Sequence, residues 1–181
     1  MYFTADTHFG SKRHLELCKR PFTSVNQMNQ TMILNWNRIV NDDDMVFVLG
    51  DFGEYDYANK LNGKIVLICG NYEKNDMERL NLSFSQFRDL LIEKGFYDVH
   101  ESYLDINVDV INRPLHLIHE PSKKIDNAFN LYGHVHKTHL LKRVGLNVGI
   151  DLHNYTPIDI DTILFYKTGI EKYYDDEVFI D

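Results

Sequence analysis

Short apolar runs, each broken off by a polar residue, mark the first half of the chain. Residues 2–5 read as a buried strand that empties into Asp6-Thr7-His8-Phe9-Gly10. Residues 45–49 form a second run, stopped by Gly50-Asp51, and residues 64–69 a third, stopped by Gly70-Asn71. Continuous runs this short suit buried strands. Between them the pattern turns helical. Residues 12–19 predict a short helix ended by Pro21, and Ser24 is suited to cap a helix over 25–40 that carries Met28, Met32, Leu34, Trp36 and Ile39. Residues 41–44 read as a turn, and 55–61 as a helix closed by Asn62-Gly63.

Ser83 or Ser85 starts an amphipathic helix that reaches Lys94 and stops at Gly95. Beyond Phe96 the pattern becomes alternation and short apolar runs. Strands are expected over 97–104, 106–111, 115–118, 130–132 and 144–150, with a helix at 160–165. The acidic end, 173–181, reads as an edge strand or a loose tail. There is no repeat, low-complexity tract or linker, and 181 residues suit one domain with a substantial core. Strand–helix alternation followed mostly by strands implies an α/β (α+β) class, with sheets covered by helices.

Composition narrows the function. Apolar residues at 44% and charged residues at 25% are ordinary for a globular chain. The net charge of -8 argues against a broad basic groove for extended nucleic acid, which needs clustered Lys and Arg. No apolar run approaches the roughly 20 residues of a membrane helix. Residues 1–9 run straight into polarity, unlike a secretory signal, so a cytoplasmic location without membrane partners is expected. Cys18 and Cys69 form no Cys-x-x-Cys pair, so a disulfide or thiolate zinc site is not expected.

The chemistry collects where strands end. Asp6-x-His8, Gly50-Asp51 and Gly70-Asn71 each follow an apolar run, and strands of open α/β sheets bind ligands at such an edge. In extended chain, residues two apart project to one side, so Asp6 and His8 can reach a common ion. The second half adds His119 after 115–118, and then Gly133-His134-Val135-His136, which repeats that spacing. Each block alone is weak, since an Asp after a strand is usually a turn residue. Their joint occurrence carries the argument.

These blocks resemble the calcineurin-like metallophosphoesterases, whose pattern runs Asp-x-His, Gly-Asp, Gly-Asn-His-Asp/Glu, a later His and Gly-His-x-His. The likeness spans roughly residues 1–165 and includes Arg20-Pro21-Phe22 and Asn147-Val148-Gly149-Ile150-Asp151. It implies a four-layer α-β-β-α sandwich of two mixed sheets flanked by helices. It also implies one divalent ion on Asp6, His8, Asp51 and His136, and a second on Asp51, Asn71, His119 and His134, with Asp51 bridging. Asp51, Asn71, Tyr72 and His134 become the candidate catalytic residues. Two ions about 3.5–4 Å apart share and acidify a water that serves as hydroxide nucleophile. Their charge outweighs Asp6, Asp51 and that hydroxide, so a small phosphate-ester substrate is attracted into an acidic protein. The ligand set suits manganese first, with iron, nickel or zinc also accommodated.

One position departs from the pattern. Tyr72 stands where the family has a general-acid histidine, and a phenol titrating near ~10 is a poor proton donor at neutral pH. Two outcomes follow: a phosphodiesterase that needs little leaving-group protonation or borrows His14 or His139, or a weak or inactive binding scaffold. The intact set of seven metal ligands favours activity. Glu73 is expected to orient a neighbouring ligand or simply to start a helix. For Arg20 a salt bridge is the first expectation and a substrate phosphate the second, and Lys12, Arg13 and Lys137 are expected in solvent.

Overall fold

In the computed structural model, which describes residues 1–109 and 112–179, the apolar runs pair as the parallel centre of a sheet. The chain runs β1 (Tyr2–Thr4), α1 (Lys12–Leu17), α2 (Val25–Ile39), β2 (Met45–Val48), β3 (Lys64–Ile68), α3 (Asn71–Leu80) and α4 (Phe84–Glu93). It continues through β4 (Asp98–His100), β5 (Tyr103–Ile106), β6 (Leu115–Ile118), β7 (Phe129–Tyr132), β8 (Leu141–Lys142), β9 (Gly145–Asn147), β10 (Ile158–Asp159) and α5 (Ile160–Lys172). The first sheet has the order β10-β1-β2-β3-β4, with β10 antiparallel to β1 and the other pairs parallel. The second has the order β5-β6-β7-β9-β8 and is mixed. The fold is the expected sandwich of two mixed sheets with helices.

Period-2 side-chain placement explains why the runs are apolar throughout. Val46, Val48, Ile65 and Leu67 face one way, into a core shared with Met28, Met32 and Trp36 of α2 and Phe87 and Leu91 of α4. Phe47, Leu49, Val66 and Ile68 face the other way and meet Leu115, Leu117, Phe129, Leu131 and Leu146 of the second sheet. Both faces of β2 and β3 are therefore covered. α5 lies against β9 and β10, and adds Ile163 and Ile170 to the core between the sheets. No helix among the described residues is long and apolar enough to cross a membrane.

The structure revises several boundaries. The run at 97–104 is two strands in different sheets, because the chain crosses from one sheet to the other between β4 and β5. β5 ends at Ile106, so no strand covers 107–109, and 110–111 lie outside the described residues. The helix at 55–61 is a 3-10 helix, Tyr55–Lys60, and the helix at 160 runs on to Lys172. The acidic end is no edge strand among the described residues. Its Asp176–Phe179 segment is a 3-10 turn, docked by an Arg143–Asp176 ion pair and by the Arg143 guanidinium over the Phe179 ring. α3 is a helix that the apolar pattern gave no reason to expect.

Candidate metal centre

Each candidate block sits where a strand breaks off, and at Asp6-x-His8, Asp51 and His134-x-His136 the backbone is kinked rather than extended. Among the described residues, nine non-glycine residues have positive φ, and Asp6, His8, Asp51, His134 and His136 are five of them. Left-handed backbone costs a non-glycine residue on the order of 1 kcal/mol or more, and it persists only where surroundings enforce it. Here the first two turns enforce each other: Asp6 N–H donates to Gly50 O (3.1 Å) and His8 N–H to Asp51 O (3.0 Å). The extended two-apart geometry expected for Asp6 and His8 is thus replaced by alternate left-handed kinks.

Asp51 stands between two donor groups. Its Oδ1 lies 3.4 Å from His119 Nε2, and its Oδ2 lies 3.6 Å from His8 Nε2. On the first side, Asn71 Oδ1 is 2.8 Å from His119 Nε2 and 3.1 Å from His134 Nδ1. On the second, the His8 and His136 rings stack with centroids 5.3 Å apart. Ligand bonds of about 2.0–2.1 Å put neighbouring donor atoms roughly 3.0–3.4 Å apart around one ion, close to these separations. Asp6 joins Asp51 and His119 in one buried group of donor atoms, and both its oxygens accept from His134 N–H at 2.9–3.0 Å. All seven expected ligands are brought to one place.

The Nε2 nitrogen of His119 is set up as an acceptor. His119 Nδ1–H donates to Leu49 O at 2.7 Å, which leaves the lone pair on Nε2. Burial depresses the pKa of His119 to about 4, and its Nε2 lone pair faces Asn71 Oδ1 at 2.8 Å and His134 Nδ1 at 3.3 Å. His136 Nδ1 is held by Asp151 Oδ2 at 2.9 Å, the carboxylate–histidine arrangement that orients metal ligands. His8 is buried with neither ring nitrogen hydrogen-bonded, and burial, with His14 beside it, pushes its pKa far down. Burial raises the carboxyl of Asp6 to about 7 and that of Asp51 to about 6, against the opposing pull of His136 on both. The residues present fit a pair of divalent cations.

Two supports hold these donors from behind. Glu73 is fully buried and accepts three backbone N–H groups, from Gly70 (2.8 Å), Asp51 (2.9 Å) and Phe52 (2.9 Å). It ties the turn after β2 to the turn after β3, and as the third residue of α3 it also occupies the helix-start position that is the other expectation for it. Arg20 is no substrate contact. Its guanidinium is buried against Asp151 (2.9 Å) and donates to the carbonyls of Thr7 (2.8 Å) and Asp6 (2.7 Å). Asp151 thereby connects Arg20 to His136, a role that spacing along the chain could not reveal.

Gly50 has φ +81, and a Cβ there would lie 2.6 Å from His119 Nδ1. A Cβ on Gly70 would lie 2.5 Å from Asp51 Oδ1. Gly50→Ala should therefore cost more than about 1 kcal/mol and weaken metal binding as well. Thermal unfolding and manganese titration check this; a neutral outcome in both would show that the turn has room to give.

The wall over the centre differs from expectation. Tyr72 N–H donates to Asp51 Oδ1 at 3.0 Å, and its ring stands edge-on to His8 (5.0 Å) and His14 (5.3 Å). His14, the one buried residue of α1, stacks on His8 with centroids 3.5 Å apart. Its helix position concealed it among polar neighbours. His139 instead packs near Tyr132 and Thr138. His116 pairs with Asp105, His100 with Asp98, and His153 Nε2–H donates to Asn147 O, so these three are structural. Cys18 and Cys69 are free thiols, and Cys18 Sγ lies 3.5 Å from His136 Nδ1.

No family model matches the chain. Uncharacterized protein MJ1445 of Methanocaldococcus jannaschii is 29% identical over 179 residues, covering 91% of this chain and 89% of its own length. The crystal structure of AQ665 from Aquifex aeolicus, a protein of unknown function, matches with a TM-score of 0.70 at 20% identity, over 92% of this chain and 98% of that one. This second likeness establishes a shared fold.

Proposed function

We propose that the chain is a phosphoesterase that works with two divalent cations and prefers phosphodiesters to monoesters, in the manner of the calcineurin-like enzymes it resembles. The observation that carries this reading is Asp51, which offers one carboxylate oxygen to each of two imidazole-bearing donor groups. Asp6, His8, Asp51 and His136 would hold one cation, and Asp51, Asn71, His119 and His134 the other. Bound there, the cations supply Lewis acidity and an activated water near neutral pH.

The protein's own groups do the rest. Leu49 O and Asp151 fix the ring orientations of His119 and His136. Tyr72 N–H holds the Asp51 carboxylate from outside. Beside His134 and His136 lies an open cleft of about 540 Å³, lined by Leu17, Cys18, Val135 and Thr138 with Lys19 and Lys137 among its walls. That size suits the organic group of a small ester, and the two lysines suit an anionic one. A phenol in place of an imidazole favours diesters whose leaving group departs with little help from a proton.

Chelator-stripped protein should hydrolyse bis(p-nitrophenyl) phosphate only after manganese is restored, and p-nitrophenyl phosphate more slowly. Manganese at 100 times its Kd should also stabilise the fold by about 2.7 kcal/mol, raising Tm by several degrees. A second reading, a binding scaffold without turnover, is favoured by Tyr72 alone. Absence of hydrolysis with manganese, iron, nickel and zinc, despite the thermal shift, would select it.

A further inference from the structure

The chain is acidic, and most of its arginines find a carboxylate: Arg20 with Asp151, Arg79 with Asp76, Arg88 with Asp98, Arg113 with Glu171 and Arg143 with Asp176. Arg13 and Arg38 have no ion pair among the described residues. Arg13 Nη1–H instead donates to the Tyr72 hydroxyl at 3.1 Å. The position of that contact is built from several sides. Ser11 caps α1, and its Oγ lies 2.8 Å from His14 Nδ1, which turns His14 inward onto His8. Arg13, the preceding residue on the same short helix, is left exposed at the mouth. Tyr72 is anchored at its other end, where its backbone N–H meets the carboxylate of Asp51. Its hydroxyl also lies 3.4 Å from His14 Nε2, so the phenol is bracketed by Arg13 and His14.

We propose that Arg13 is a substrate-binding residue that takes a non-bridging oxygen of the phosphate ester, and that Tyr72 is the positioning residue that holds its guanidinium over the centre. This rests on the phosphoesterase reading for the identity of the ligand. A guanidinium presents five N–H donors in a planar fork, and only one is engaged by Tyr72, so a pair remains for a phosphate. The tyrosine then replaces a proton-donating side chain with a held positive charge, which stabilises negative charge as it develops on the ester oxygens. The hydroxyl holds the guanidinium without neutralising it.

The test is calorimetric titration of inorganic phosphate into the manganese-loaded protein, with manganese affinity and diester kinetics measured on the same samples. Arg13→Gln should weaken phosphate binding about 10- to 100-fold, the scale of a charged hydrogen bond, with manganese affinity unchanged. Arg13→Lys should restore part of it, since an ammonium cannot form the fork. Tyr72→Phe keeps the ring against His8 and His14, and should weaken phosphate severalfold in the parent but add nothing to Arg13→Gln. Unchanged phosphate affinity in Arg13→Gln, or no phosphate binding by the parent, would overturn the proposal. Full additivity of the two substitutions would remove Tyr72 from the positioning role. Arg13-dependent phosphate binding without turnover would instead retain the anion site and sink the esterase reading alone.

Discussion

An Arg20→Met variant is expected to lose about 3–5 kcal/mol of folding stability, because it strands a buried carboxylate. Arg20 and Asp151 have fully buried side chains and pair at 2.9 Å. Methionine leaves Asp151 with only His136 for charge, and leaves the carbonyls of Asp6 and Thr7 without the guanidinium. Against a total stability of about 5–15 kcal/mol for a domain, that loss is large. The double variant Arg20→Met with Asp151→Leu should recover much of it, since removing both members of a buried pair leaves no orphaned charge. Urea unfolding midpoints decide the matter. A loss under about 1 kcal/mol would mean that solvent reaches Asp151.

Asp51→Asn should separate stability from activity. Hydrolysis should fall on the order of a thousandfold or more, the scale of removing an electrostatic group that acts on the transition state. Manganese should no longer raise Tm, because the carboxylate shared by both donor groups is gone. The metal-free variant should be at least as stable as its parent. Burial raises the Asp51 carboxyl from 3.8 to about 6, so at pH 7 the folded, metal-free parent carries an ionised group that is less favourable there than in the unfolded chain. A neutral amide removes that cost and still accepts the Tyr72 N–H. A metal-free variant distinctly less stable than the parent would make Asp51 a structural residue instead.

The sequence displayed the candidate ligand blocks plainly because each follows an apolar run, and a polar residue after a buried strand is visible without coordinates. It displayed β1, β2 and β3 for the same reason. α3 escaped because its first turn, Asn71-Tyr72-Glu73-Lys74, carries no apolar stripe and its N-cap Gly70 offers no side chain. What forms it is Glu73, whose partners lie on Gly70, Asp51 and Phe52. The pattern over 97–104 reads as one strand because nothing local marks the crossing between sheets. The backbone kinks at Asp6, His8, Asp51, His134 and His136 were equally silent, since Asp and His enter left-handed turns more readily than most residues without announcing it. The Arg20–Asp151 pair spans 131 positions, and only folding brings its halves together.

Those kinked turns have a consequence for how the protein would be charged with ions in a cell. The hydrogen bonds that shape the first two run from strand end to strand end, so the donor array is present before any ion arrives. Were ions bound there, loading would resemble filling a formed socket, and swapping one transition ion for another would require no refolding step. Occupancy would then follow ligand type and the supply of each metal rather than raw affinity, so the same polypeptide recovered from different growth media should carry different elements.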